Sequence, residues 1–440
     1  MSRARLPIPP LRRVENNLTT RSTAVKQLPR LKAHPAMPET ITGECLFASV
    51  LQTSKWKNPN HQALVGYNQP KLALKSGDSL GVSMQLGIIG LPQSGKTTLF
   101  KALTGSAIAM GMSSGKMEVH TEVVDVPDPR VDELIGIYNP KKIVRTKVTY
   151  ADIAGLDGSA GKQGLQGALV NQLAQMDGYI HVIRQFENPT VPHQATTIDP
   201  VRDIQTMDTE FVLNDLIMVE RRLEKLAEEH RRAVTRPREQ IQAEIDIFEK
   251  LHTMLADDKP LRHYKFTAEE DRALSSFGFL SRKPQIVVFN QSEDQQPIDY
   301  QTPHPHTEVV SVPAKLEMDI AALPSEDAAM FMEEYSLKEL SMSRLIKLSY
   351  DLLGLQSFFT ASEKEVHAWT VRRGAKAPEA AGVIHSDFEK GFIRAEVISY
   401  PDMISYHGTA EARAKGRLRV EGKEYVIQDG DTLEILFNLK

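Results

Sequence analysis

The chain has 440 residues, of which 41% are hydrophobic and 25% charged. That length predicts two to four domains, and that balance excludes global disorder and a fibrous chain. The formal net charge of −4 excludes a polycation that coats nucleic acid by charge alone.

The average hides an asymmetry. Residues 1–83 hold 12 basic and 4 acidic side chains, whereas residues 84–440 hold 41 and 53. The one cysteine, Cys45, excludes a disulfide framework and a thiolate metal cluster. No stretch approaches 18 consecutive apolar residues, so no membrane span is expected. Residues 1–83 show neither helical nor strand periodicity. They are expected to be a disordered or non-native extension ahead of a start at Met84, with an organellar targeting peptide as the alternative.

From Met84 the pattern changes. "MQLGIIGL" reads as a buried strand, and "KTTLFKALTG" as a helix stopped at Gly105. "KVTYADIAGL" is a second strand and "LQGALVNQLAQMD" a helix, then "GYIHVIRQF", "QIVVFNQSE" and "EVVSVPAKLE" are further strands. Short apolar strands alternating with helices predict an α/β fold with a parallel sheet wrapped by helices. Between the third and fourth of these strands, "DTEFVLNDLIMVERRLEKLAEEHRR" has helical spacing at Phe211, Leu213, Leu216, Ile217, Val219, Leu223 and Leu226. Pro237 breaks it and "EQIQAEIDIFEKLHTML" returns, as in an antiparallel coiled-coil hairpin. A short third helix follows Thr267 as N-cap. The end of the chain is rich in turns and reads as a small mixed α/β module.

The strongest signal is Gly90-Leu91-Pro92-Gln93-Ser94-Gly95-Lys96-Thr97, a GxxxxGK[ST] pattern between a strand and a helix. Gly90 and Gly95 let the backbone curl so that main-chain N–H groups face phosphates. Leu91 to Thr98 are therefore expected around a triphosphate. Lys96 supplies charge to the β- and γ-phosphates, and the Thr97 hydroxyl binds Mg²⁺. Asp152-Ile153-Ala154-Gly155 adds a DxxG element at a strand end. Asp152 completes the metal side, and the Gly155 amide senses the γ-phosphate. Leu156 follows, where Ras-like enzymes carry a water-orienting glutamine, so slow hydrolysis is expected. Lys162 and Gln163 are candidates to position the water, against plain loop flexibility.

The base is read at Asn290-Gln291-Ser292-Glu293. A guanine-reading NKxD motif would have lysine and aspartate here. Glu293 is longer by a methylene, about 1.5 Å, and misplaces a guanine-binding carboxylate. The Asn290 amide can pair with an adenine edge, so ATP is expected over GTP. "SVPAKLE", Ser311 to Glu317, falls where a further nucleotide-binding loop is expected.

Taken together, "GLPQSGKTTLF", "DVPDPR", "DELIGIYNPKKIV", "DIAGL", the NxxE spacing of Asn290 and Glu293, and "FFTASEKEVHAWTVRRGAKAPEAAGVIHSDFEKGFIRAEVISY" resemble the YchF/Obg-like ATPase family. The resemblance covers about residues 84–440. It implies a P-loop G-domain in two pieces, 84–205 and 282–354, interrupted by a helical coiled-coil insertion at 206–281. A β-grasp (TGS) domain at 355–440 follows. It implies ATP hydrolysis with Mg²⁺, a ribosome or ribosomal RNA as partner, a regulatory role in translation or stress response, and a cytoplasmic monomer that binds neither membrane nor DNA.

This sequence departs from the family pattern in places. Gln93-Ser94 stands where the family usually has Asn-Val, and that asparagine is the expected ligand of an activating K⁺, so potassium dependence is in doubt. The switch threonine is expected near residue 116, where no threonine aligns; Thr121 or a nearby serine is the candidate substitute. A non-catalytic nucleotide-sensing scaffold remains the alternative, and a GTPase assembly factor is disfavoured by Glu293. Arg221, Arg222, Lys225, Arg231, Arg232, Arg236 and Arg238 on the hairpin, and Arg413, Lys415, Arg417, Arg419 and Lys423 near the end, are candidate contacts to RNA phosphates. The bland alternative is a solvated face held by ion pairs. His385, Asp387 and Glu389 are expected on a strand, pointing to opposite sides, and not as metal ligands.

Overall fold

The computed structural model describes residues 84–105, 119–153, 165, 167–193, 195–232, 236–302, 304, 306–334 and 340–438. The expected extension at 1–83, Gly155, Leu156, Lys162, Gln163 and the segment around residue 116 lie outside them. In chain order the strands are β1 (Gln85–Ile89), β2 (Val119–Asp125), β3 (Lys142–Val144), β4 (Lys147–Ile153), β5 (Gly178–Arg184), β6 (Gln285–Asn290) and β7 (Thr307–Val312). They continue as β8 (Leu355–Ala361), β9 (Glu365–Arg372), β10 (Phe392–Ile398), β11 (Arg419–Glu421) and β12 (Thr432–Phe437).

The five strands expected from apolar runs are β1, β4, β5, β6 and β7, and they lie parallel in one sheet of order β2-β4-β1-β5-β6-β7. β2 is an addition that the sequence did not announce. It runs antiparallel to β4 along its whole length, from Val119 opposite Ile153 to Asp125 opposite Lys147. As an edge strand it is mostly exposed, so its polar alternation carries no core signal.

The helix Lys96–Thr104 packs Leu99, Phe100 and Leu103 on one face of this sheet, against Ile88, Tyr150 and Val182. The other face buries Ile89, Ala151, Ile153 and Tyr179 against the helix Gly167–Gln175 and the start of a long helix, Pro200–Arg232. Crossover helices on both faces are what bury parallel strands completely.

The long helix begins at Pro200 and returns as Arg238–Ala256. The third helix, Ala268–Leu274, starts with a reciprocal capping box between Thr267 and Glu270. The hairpin core is Val212, Val219, Leu226, Ile241, Phe248, Leu251 and Leu255. The single apolar stripe expected on the first helix is therefore split. Phe211 packs under the parallel sheet, while Leu213 and Ile217 are 49% and 48% exposed. Residues two apart stand about 200° around a helix, so Phe211 and Leu213 cannot share a face.

The second sheet has the order β11-β10-β12-β8-β9-β3. It mixes antiparallel and parallel pairs with helices on both faces, the β-grasp type expected for the C-terminal module. One edge comes from far upstream: β3 pairs in parallel with β9. The preceding helix, Pro129–Tyr138, buries Val131 and Leu134 among Phe359, Val366, Ala368, Ile398 and Met403. Asp128 caps that helix, and Arg130 bonds both Asp128 and Asp429 at 2.9 Å. "DVPDPR" thus marks the point where the chain leaves the first sheet for the second. His385, Asp387 and Glu389 do not lie on a strand. His385 Nδ1 accepts the Asp387 amide at 3.1 Å and caps a short helix, Ser386–Lys390. No helix among the described residues is long and apolar enough to cross a membrane.

Phe248 is fully buried with its ring 4.9 Å from that of Phe277. Phe248→Ala is expected to cost about 3–5 kcal/mol of stability. Leu213→Ala should change it by less than about 0.5 kcal/mol. Urea unfolding followed by helical circular dichroism measures both.

Candidate nucleotide-binding site

The site forms where β1, β4, β5 and β6 end, the side of an open parallel sheet on which ligands bind. After β1 the chain turns through Gly90 at φ 147°, Gln93 at 62° and Gly95 at 97°. Only glycine takes the first and last of these without strain. The space is equally restrictive. A Cβ on Gly90 would stand 2.4 Å from Val182 O, and one on Gly95 2.1 Å from Asn290 Nδ2. Gln93 accepts a left-handed backbone with its side chain exposed.

This curl leaves donors without acceptors. The amides of Gln93, Gly95, Thr97 and Thr98 bond to no main-chain oxygen among the described residues. They lie in the loop or in the first turn of the helix Lys96–Thr104, where intrahelical partners do not exist and the helix dipole favours an anion. Lys96 Nζ bonds Gly90 O and Leu91 O, both at 3.0 Å, which holds its charge over the same loop. Leu91 and Pro92 are half-buried, and the Ser94 hydroxyl is buried without a partner among the described residues.

Thr97 Oγ1 donates to Asp152 Oδ2 at 2.9 Å, joining the P-loop helix to the end of β4. Burial pushes the Asp152 carboxyl above its usual range; the Thr97 bond and the charges of Lys96 and His120 pull it back. A hydroxyl and a carboxylate, both hard oxygen donors, beside free amides fit a magnesium ion carrying phosphates.

The base-reading motif is arranged differently from the expectation. Asn290 is buried. Its Nδ2 donates to Ser94 O at 2.9 Å, and its Oδ1 accepts the Ala314 amide at 3.4 Å. It is a strut that ties the P-loop to the ends of β6 and β7, with one Nδ2 hydrogen not used by these bonds. Gln291 donates its side-chain N–H to Gln295 O at 2.9 Å, and Glu293 is exposed. Of "SVPAKLE", Val312 O accepts the Gln291 amide at 3.1 Å and the Ala314 amide donates to Asn290. Glu317 turns away and accepts the amides of Ser341 and Met342 at 2.8 and 2.9 Å, capping the helix Ser341–Leu352.

Two neighbours were not singled out from the sequence. Phe186, just past β5, has its ring near Gly95, and the Arg184 guanidinium lies 4.6 Å over it. Arg184 also bonds Phe186 O and Val191 O, fixing the turn. The available signal was position: an aromatic just beyond the end of a central parallel strand. Farther along, His193 Nε2 lies 2.9 Å from Asp203 Oδ2, both nearly fully buried.

Comparison with known proteins agrees with this architecture. A family model described as "50S ribosome-binding GTPase" matches residues 85–222, and the model of the C-terminal YchF GTPase region, described as of unknown function, matches 355–438. The protein named ribosome-binding ATPase YchF from Bacillus subtilis is 38% identical over 370 residues, covering 81% of this chain and all of that one. Its namesake from Haemophilus influenzae is 41% identical over 367 residues with the same coverage. The chain belongs to the YchF family. The solved structure of the Schizosaccharomyces pombe YchF GTPase superposes with a TM-score of 0.71 at 30% identity, covering 82% of this chain and all of that one.

The two basic clusters of this YchF-family chain differ in character. In the C-terminal module Arg413 pairs with Glu396 and Glu434, Arg417 with Asp402, and Arg419 with Glu421 and Asp431. Those arginines are mostly a self-neutralised face. On the hairpin Arg222 and Arg236 share Glu229 and Glu244. Arg221, Lys225, Arg232 and Arg238 are exposed and form no ion pair with a described residue.

Gly95→Ala forces a side chain into the Asn290 amide at a backbone angle that costs about 1–3 kcal/mol by itself. The variant is expected to lose nucleotide binding by at least tenfold in calorimetry, and to unfold at lower denaturant than the parent.

Proposed function

We propose that this protein is a Mg²⁺-dependent ATPase that works with the ribosome. The observation that carries the reading is the Thr97–Asp152 bond beside four amides with no main-chain partner among the described residues, on a loop whose turns at Gly90 and Gly95 only glycine takes without strain. The names of the bacterial relatives, ribosome-binding ATPase, support the nucleotide and the partner.

In this reading the amides of Gln93, Gly95, Thr97 and Thr98 bind the phosphates, and Lys96 leaves the Gly90 and Leu91 carbonyls to pair with the β- and γ-oxygens. Thr97 and Asp152 hold the Mg²⁺, which when bound neutralises charge that builds on the transferring phosphoryl group. Gly155 supplies the γ-phosphate amide. Such a site accelerates hydrolysis by positioning and electrostatics, because phosphoryl transfer leaves little covalent chemistry to the protein. Leu156 cannot orient water, so turnover is slow without a partner. The base lies against Phe186, with selection by Gln291 and Glu293 while Asn290 holds the loop. The domain parse of 84–205 and 282–354, with 206–281 inserted and 355–440 appended, belongs to the same reading, as do a monomer and a cytoplasmic location. Gln93 stands where the family has its potassium-ligating asparagine, so turnover is expected to gain little from K⁺ over Na⁺.

The S. pombe relative is titled a GTPase, so the base is the point to test. Displacement of a fluorescent adenine nucleotide from the full chain is expected to need at least tenfold more GTP than ATP, and Lys96→Ala should abolish binding. Tighter displacement by GTP would refute the assignment of base. Ribosome co-sedimentation is expected to fall steeply with salt and to weaken when Arg221, Lys225, Arg232 and Arg238 are reversed to Glu. Co-sedimentation indifferent to both would remove the hairpin from the contact.

A further inference from the structure

The antiparallel pairing of β2 with β4 places a histidine at the metal side of the site. His120 stands directly opposite Asp152 in the register. Cross-strand partners project on the same face, with Cβ atoms about 4.5–5.5 Å apart. Packing of the neighbours identifies that face. Val124, four residues along β2, packs with the cluster that contains Leu99, Phe100 and Tyr150, the P-loop helix side. Val119, of opposite parity, packs with Ile153 and Leu173 on the other side. His120 therefore shares a face with Val124, Asp152 and the helix that carries Thr97. Its imidazole is exposed.

The same parity removes Thr121, one of the two substitutes suggested for the switch threonine; the other, a nearby serine such as Ser113 or Ser114, lies outside the described residues. Thr121 pairs with Ala151, whose side chain lies in the opposite cluster. Thr121 faces away from Thr97 and Asp152 and cannot reach a metal or phosphate that they hold. Residues 106–118 contain no threonine either.

We propose that His120 is a nucleotide-state contact, an imidazole whose N–H donates to the terminal phosphate of the triphosphate held by Lys96, Thr97 and Asp152. The inference rests on the assignment of a triphosphate to this site. An imidazole nitrogen is a poor ligand for magnesium, which prefers oxygen, so the contact is a hydrogen bond to phosphate and not coordination. A donor that touches only the terminal phosphate discriminates the triphosphate from the diphosphate. It lies on an edge strand that the diphosphate-bound protein need not hold in one position. Because β2 leads directly into the helix Pro129–Tyr138 on the second sheet, the same contact reports occupancy to the C-terminal module.

The test is calorimetric, on the full-length chain with Mg²⁺, using ATP and ADP separately. His120→Ala is expected to weaken ATP about tenfold and ADP less than twofold, the size of one hydrogen bond to a charged acceptor. His120→Asn keeps an N–H donor and is expected to recover most of the difference. Equal effects on ATP and ADP, no effect on either, or an asparagine no better than alanine would each overturn the inference. Lys96→Ala separates the two levels of the argument. If the parent binds ATP and Lys96→Ala does not, a flat His120→Ala result sinks only the role of His120. If the parent binds no adenine nucleotide, the site assignment and this inference fall together. His120 is exposed on a strand edge, so the variants are expected to fold, and matched urea midpoints check it.

Discussion

At position 95 the chain can carry a hydrogen and nothing more. The backbone there is left-handed, and the space a methyl group would fill already holds the amide nitrogen of Asn290. That nitrogen bonds Ser94 O, so the loop is pinned at its base while its amides face outward. The rest of the site follows. With the loop in place, the helix Lys96–Thr104 starts where Thr97 meets Asp152, and Lys96 folds over the curl. Loosening the strut would let the donors collapse onto solvent or onto one another, and a preorganised cradle would become an ordinary turn.

A second constraint runs the length of the molecule. β2 and β4 form a two-stranded ladder whose one end lies at Asp152. At the other end the chain makes an excursion through the helix Pro129–Tyr138 and β3 into the C-terminal sheet. Val131 and Leu134 are fully buried there, and Arg130 is fastened between Asp128 and Asp429. Tyr138 adds a 2.6 Å bond to Thr409. The C-terminal module is thus packed on a segment that begins and ends in the two strands beside Thr97 and Asp152. A rigid ladder of this kind can carry a displacement in either direction, which is the physical requirement for one module to respond to the other.

The arginines illustrate how charge in a sequence differs from charge on a surface. Arg413, Arg417 and Arg419 look like a phosphate-binding row, yet each has a carboxylate within reach once the sheet forms. On the hairpin the network of Arg222, Arg236, Glu229 and Glu244 closes on itself, while Arg221, Lys225, Arg232 and Arg238 stay in solvent. Surface pairs contribute little to stability, but they decide which positive charges remain for a polyanion.

Local chemistry made much of this protein legible in the chain itself. Gly90, Gly95, Lys96 and Thr97 announce the cradle, because that spacing gathers main-chain donors, a cationic side chain and a hydroxyl around one polyphosphate chain. The five parallel strands declare themselves by being apolar on both faces, and Thr267 and Glu270 mark a helix start. What folding alone decided depends on partners distant in sequence. β2 carries no hydrophobic signal of its own; it is a strand because β4 offers it an open edge. Asn290 carries the look of a base reader, and folding also commits one of its amide N–H groups to Ser94, 196 residues away. His120 and Thr121 are neighbours of similar polarity, and only pairing with Asp152 and Ala151 sends one toward the P-loop helix face and the other away. Periodicity and composition describe what a residue can do; the face it presents, and to whom, is set when the sheet closes.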